Sequence, residues 1–157
     1  MERETDIDSL ESTEPIAEEC APCPRRQVRS LIFHFLYAMD SFGYDASAES
    51  LVDQFNRGFE TDVPLDGEVI NAVKTIVENR QKYDDMLVPL LANWRLERIG
   101  CCTHLVLRIA LWELTETDTH PTIVVNEAIE LAKCFSEKDA YKFVNGVIDK
   151  AIKQLKS

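Results

Sequence analysis

The chain has 157 residues, 45% of them hydrophobic, five cysteines and a formal net charge of −11. That length suffices for one domain with a real core. No run approaches the roughly 18 consecutive apolar residues of a membrane helix, and the acidic start predicts no secretory leader. An odd number of cysteines in a domain that needs no staples points to a reducing cytoplasm.

The charge is uneven. Residues 1–24 hold eight acids against Arg3, a net −7 that leaves −4 for the remainder. Few large apolar residues lie there, so residues 1–24 are expected to be an acidic, disordered tail ahead of a helical domain over residues 25–157. A mildly acidic body can still hold a basic patch, and phosphate contacts depend on that local field.

Pro22 and Pro24 resist a helix until Arg25. From there Val28, Leu31, Ile32, Phe35, Leu36 and Met39 share one helical face, predicting a first helix to about Asp40. Arg26, Arg29, Phe33 and Tyr37 fall on the opposite face, guanidinium groups first and rings beyond them. That order suits a single-stranded nucleic acid, arginine to phosphate and ring to base. It equally suits a second layer of helices packed over the rings, with the arginines left in solvent.

Asp45 is the expected cap of a second helix with Leu51, Val52 and Phe55 inward, stopping at Gly58. A third helix is expected from about Asp66 to Lys82 on Val69, Val73, Ile76 and Val77. Asp84 would cap a short fourth with Met86, Leu87, Leu90 and Leu91. Trp94 to Gly100 reads as a connector. A strongly apolar helix follows from Cys101 to Thr117, with Leu105, Ile109 and Trp112 on one row. Pro121 suits the first turn of the next helix, which carries Val124, Val125, Ala128, Ile129 and Ala132. Ser136–Asp139 has capping-box spacing and would open a last helix lined by Val144, Val147, Ile148 and Ala151. Asn126 and Asn145 sit among apolar rows as candidate buried amides, and Gly146 would allow close helix approach. No segment alternates like a strand. The chain reads as all-α, a bundle of about seven helices.

Motifs for catalysis are absent: no Gly-rich phosphate loop, no His-Glu-x-x-His, and three scattered histidines. Cys20-Ala21-Pro22-Cys23 beside Arg25 and Arg26 is the sharpest chemical signal, since nearby cations lower a thiol pKa. It leaves a thiol-redox site or half a zinc site open, though no second cysteine pair at ligand spacing and no βαβ context accompany it. Glu127, Glu130 and Lys133 read as a solvated, salt-bridged helix face. No catalytic residue, metal site or cofactor follows from these residues. A helical adaptor that binds only protein also remains open.

Several stretches together resemble the family of bacterial NusB antitermination factors. They are Arg25-Arg26-x-x-Arg29 leading to Leu36-Tyr37, Trp94-x-Leu96-Glu97-Arg98-Ile99, and Leu107-Arg108-Ile109-Ala110-x-Trp112-Glu113-Leu114. Asn126-Glu127-Ala128-Ile129-Glu130-Leu131-Ala132-Lys133-x-Phe135 and Lys142-Phe143-Val144-Asn145-Gly146-Val147-Ile148-Asp149 complete the set. The resemblance implies two helical halves side by side. It implies a non-enzymatic factor that binds boxA-like single-stranded RNA of ribosomal RNA leaders with the small-subunit ribosomal protein NusE, within an RNA polymerase antitermination complex. It carries RNA contact onto Arg25, Arg26, Arg29, Tyr37, Phe135, Asp139, Lys142 and Phe143, and leaves a homodimer through the arginine region open. The acidic stretch, lying before the arginines, is expected to compete with RNA for them.

Overall fold

Apolar rows at helical spacing wind residues 24–156, those that the computed structural model describes, into seven α-helices and two single 3-10 turns. The helices are α1 (Pro24–Ser41), α2 (Ala48–Phe59), α3 (Glu68–Glu78), α4 (Arg80–Leu87), α5 (Cys101–Glu116), α6 (Pro121–Phe135) and α7 (Ala140–Lys156). The 3-10 turns are Val88–Leu90 and Leu96–Arg98. Among the described residues there is no strand. The acidic stretch and Cys20–Cys23 lie outside them.

Helices α1, α2 and α3 pack on one another, as do α5, α6 and α7; α4 rests on α5. Helix α1 also lies against α5 and α6, so it joins the two halves. Its predicted apolar face is in place: Ile32, Phe35, Leu36 and Met39 are buried. Phe33 is buried as well, at 3% exposure, although it projects away from that face. A helix between two layers has to bury two sides. In α5 the seven consecutive residues Leu105 to Leu111 are all buried, and each large apolar side chain among them contributes about 1.5–3 kcal/mol.

Local chemistry moves several expected boundaries. Ser47, not Asp45, caps α2, its Oγ accepting from the Ser50 amide at 3.1 Å. Helix α2 runs through Gly58 to Phe59, and Glu60 takes the left-handed turn at φ 53°. The single helix expected over 66–82 breaks at Asn79, whose side-chain amide donates to the Thr75 carbonyl at 2.8 Å. Asp84 therefore lies inside α4 rather than capping it, and it is buried. Pro121 does occupy the first turn of α6, where His120 Nδ1 accepts from the Thr122 amide at 3.1 Å.

The capping box at Ser136–Asp139 does not form. Ser136 ends α6, its buried Oγ without a hydrogen-bond partner among the described residues, and α7 starts only at Ala140, after Asp139 at φ 68°. Asn126 and Asn145 are exposed, so neither is a buried junction amide. Gly146 is exposed too, with nothing within 4 Å of where a Cβ would stand; close packing does not explain it.

Candidate nucleic-acid interface

The stripe Arg26, Arg29, Phe33, Tyr37 exists, but most of it faces α6 rather than solvent. Arg26 Nε and an Nη donate to the two Glu127 oxygens at 3.2 and 3.1 Å. Phe33 stacks on Phe135 with ring centroids 4.3 Å apart and planes 9° apart. The partners advance together along both sequences, so α1 and α6 run in the same direction. Arginines and acids meet at one end, rings at the other.

Arg29 departs furthest from its expected place. It is 5% exposed, and its Nε and an Nη each donate at 2.8 Å to a Glu113 oxygen in a bidentate pair. A further nitrogen lies 3.7 Å from Glu127. Burying a guanidinium is tolerable only when its donors are satisfied this way. Arg29 thus pins α1 to α5 and is not laid open on a basic stripe. Glu127, expected on a solvated face, belongs to the same network. Arg25 remains exposed and pairs with Glu68 across the surface.

At the other end the rings come to the surface. Tyr37 is 47% exposed and lies parallel to Phe33, 6.3 Å away. Half-buried Phe135 stacks on Phe33, with His34 edge-on to Phe135 at 5.0 Å. Partial burial lowers the His34 pKa, so this edge stays neutral at neutral pH. Tyr37 is supported from below by a ring stack, an arrangement that holds an exposed ring flat for a base to cover.

Phe135 ends α6 and the turn 136–139 brings in the start of α7. Asp139 and Lys142 are both exposed there, Lys142 Nζ lying 3.9 Å from an Asp139 oxygen. Lys133 Nζ stands 4.9 Å over the Tyr141 ring, adding a second cation nearby. Phe143, one turn on, is half-buried against Trp94, with centroids 5.8 Å apart at 64°. Trp94 is 57% exposed. The expected residues therefore fall into two groups. Tyr37, Phe135, Asp139, Lys142 and Phe143 lie around the ends of α1 and α6 and the start of α7. Arg25 and Arg26 lie at the far end of α1, Tyr37 standing eleven positions after Arg26, or roughly 16 Å of helix.

Trp94, expected only as part of a connector, meets Phe143 through the fold, which no spacing in the sequence shows. Glu113 carries a signal of its own: an acid inside an apolar helix implies a buried cation.

A second polar network lies between α4 and α5. Arg108 donates to both Asp84 oxygens, from Nε at 3.0 Å and an Nη at 2.7 Å. His104 Nε2 is 2.6 Å from Asp84, and Arg108 also donates to the Tyr44 hydroxyl at 3.1 Å. Burial pushes the Asp84 carboxyl up, but the hydrogen bonds from Arg108 and His104 outweigh it and hold the pKa below the ordinary value. Beside it the Cys101 thiol donates to Asp40 at 3.3 Å. Burial and that carboxylate push the thiol pKa up to about 11, away from a reactive thiolate. Among the described residues no three His, Cys, Asp or Glu side chains cluster as a metal site.

The NusB family model matches residues 26–153. The transcription antitermination protein NusB of Psychromonas ingrahamii is 37% identical over 139 residues, covering 86% of this chain and 92% of that protein. That of Macrococcus caseolyticus is 31% identical over 133 residues, covering 82% and 96%. Among solved structures, NusB of T. maritima superposes with a TM-score of 0.71 at 30% identity, over 83% of this chain and 92% of that one. A protein chain from the crystal structure of a plectonemic RNA supercoil superposes at 0.72, covering 85% and 96%, at 24% identity. Matched over nearly all its described length by model, sequence and fold, the chain belongs to the NusB family.

Proposed function

We propose that this protein is an RNA-binding transcription antitermination factor that acts on ribosomal RNA operons. In this reading it binds boxA-like single-stranded RNA with the ribosomal protein NusE, in the cytoplasm, as part of an RNA polymerase complex and without a catalytic step. The observation that carries it is the ring surface on a member of this family: Tyr37 laid over the Phe33–Phe135 stack, with Lys142 and Phe143 at the start of α7. Tyr37 and Phe143 stack bases. Lys142 and Arg25 meet phosphates, Arg26 adds its charge beside Arg25 while paired with Glu127, and Asp139 accepts from a base or ribose. Phe135 holds Tyr37's support in place. Arg29 serves by position, fixing α1 against α5.

The test is fluorescence anisotropy of a labelled boxA-like RNA, with and without NusE, across a range of salt. Binding should weaken as salt rises, and Phe143→Ala should cost about 1–3 kcal/mol, the range for a lost base stack. Absence of binding at low salt, even with NusE, would overturn the reading. Self-association through the arginine face would compete with RNA, and sedimentation with and without RNA reads that directly.

A further inference from the structure

Behind Phe143 a cleft of about 200 Å³ opens between the 94–100 connector, the N-terminus of α5 and the 137–140 turn. Trp94 and Phe143 form an apolar corner, their rings inclined at 64°. Thr103 forms part of the lining, is 2% exposed, and its Oγ1 finds no hydrogen-bond partner among the described residues. A buried hydroxyl in a helix could bond back to its own backbone; this one does not. Arg98 and Lys138 supply positive charge to the lining, and Glu137 supplies a carboxylate. The carboxylate comes so close over Gly100 that a Cβ there would meet it at 2.2 Å.

We propose that this cleft takes one unstacked nucleobase of the bound RNA, and that it prefers a base bearing an exocyclic amino group to uracil. The proposal rests on the RNA-binding reading. Its volume is below the roughly 300–1,000 Å³ of a drug-sized pocket, which fits one planar ring and not a whole nucleotide cofactor. Two aromatic walls suit a π-face. Thr103 at the buried end suits a polar base edge, because a hydroxyl can both donate and accept. The cations of Arg98 and Lys138 suit the phosphates on either side of the inserted base. Glu137 and Asp139 offer only acceptors when ionised; these pair with the exocyclic amino groups of adenine, cytosine or guanine, whereas uracil presents a single N3–H between two carbonyls of like charge. Two backbone features flank the corner: Ala92 at φ 52°, two residues before Trp94, and Asp139 at φ 68°.

The experiment compares two labelled RNAs on the whole protein by anisotropy: a twelve-nucleotide oligouridine, and the same strand with one central adenosine. The wild-type protein should bind the adenosine strand about tenfold tighter, within the range for hydrogen bonds to a base edge. Glu137→Gln replaces one acceptor oxygen by an amide donor and should shrink that preference without weakening oligouridine; Thr103→Val keeps the shape, removes the hydroxyl at the buried end and should weaken the adenosine strand. Trp94→Ala, at an exposed position, should weaken the adenosine strand more than oligouridine, with the circular-dichroism melt unchanged. Equal binding of both strands by the wild type, or a preference unchanged in Glu137→Gln, would overturn the pocket and leave the RNA-binding reading standing. Binding of neither strand at low salt would overturn both.

Discussion

The two ends of the α1–α6 pair carry the same kinds of residue as a nucleic-acid surface, yet they are built oppositely. At the arginine end the charges are consumed internally: Arg26 by Glu127, and Arg29 by Glu113 and Glu127. At the aromatic end the stack is closed below by Phe33 and Phe135 and open above at Tyr37, with Lys142 and Phe143 beside it. The lesson is that residue type states what chemistry a position can do, while burial decides whether it does it to a ligand or to the fold. Arg29 is the clearest case: its charge is real and its partner is already in the protein.

Removing one member of the Arg29–Glu113 pair breaks the comparison hardest. Glu113→Ala takes the bidentate partner from a buried guanidinium, with Glu127 3.7 Å away. Loss of about 3–5 kcal/mol is expected, toward the lower end because Glu127 remains. Urea denaturation followed by circular dichroism measures it. The paired change Arg29→Met with Glu113→Leu removes both charges at similar volume and should recover most of that loss. A single variant as stable as the wild type would mean the seam is not held by this pair.

How far the sequence discloses these two ends follows from the range of the interactions. Helical spacing is local, so the seven helices and the buried row of α5 are legible from Val28 to Met39 and from Leu105 to Leu111. The break at Asn79 is not, because it depends on one side-chain amide competing for the Thr75 carbonyl. The Ser136–Asp139 box has the right spacing and still fails, since the turn is needed to swing α7 onto α6. Arg29 and Glu113 are 84 residues apart; spacing on one helix cannot show that they meet. Lys142 and Phe143 enter through the family resemblance; helical spacing alone puts them only on the first turn of the last helix. That Phe143 is half-buried against Trp94 depends on the fold, which brings the connector to α7.

The α4–α5 network sharpens the comparison by pH. Asp84 is held below its ordinary pKa, so its contribution is present above the unfolded value near about 4 and fades as pH falls through the folded value. Asp84→Asn should therefore cost about 1.5–3 kcal/mol at neutral pH, the range for hydrogen bonds to charged groups. The gap between the two proteins should shrink as pH falls below about 4. Paired urea melts from pH 7 downward test this; a gap that stays constant into acid would assign the loss to packing instead.

Tyr37 provides the corresponding test at the open end. Its ring lies on the stack without being enclosed by it, so Tyr37→Ala should leave the melt nearly unchanged while RNA affinity falls by about 1–3 kcal/mol. Unchanged affinity in a folded variant would remove Tyr37 from the surface and leave Phe143 as the ring that stacks.

The smallest effect separates contact from position most cleanly. Each cation that meets a phosphate on single-stranded RNA adds about 0.7 to the slope of log affinity against log salt. Arg25 is tied only by an exposed pair with Glu68, and Lys142 only loosely to Asp139. Exposed pairs of this kind are worth about 0–1 kcal/mol and exchange readily for a phosphate. Arg25→Gln and Lys142→Gln should each lower the slope by about that amount. The double variant Arg29→Met with Glu113→Leu should leave it where it was, because the Arg29 charge is already answered inside the seam. If that variant flattened the slope as much as Lys142→Gln does, Arg29 would reach the strand after all, and the two ends of the helix pair would be parts of one surface.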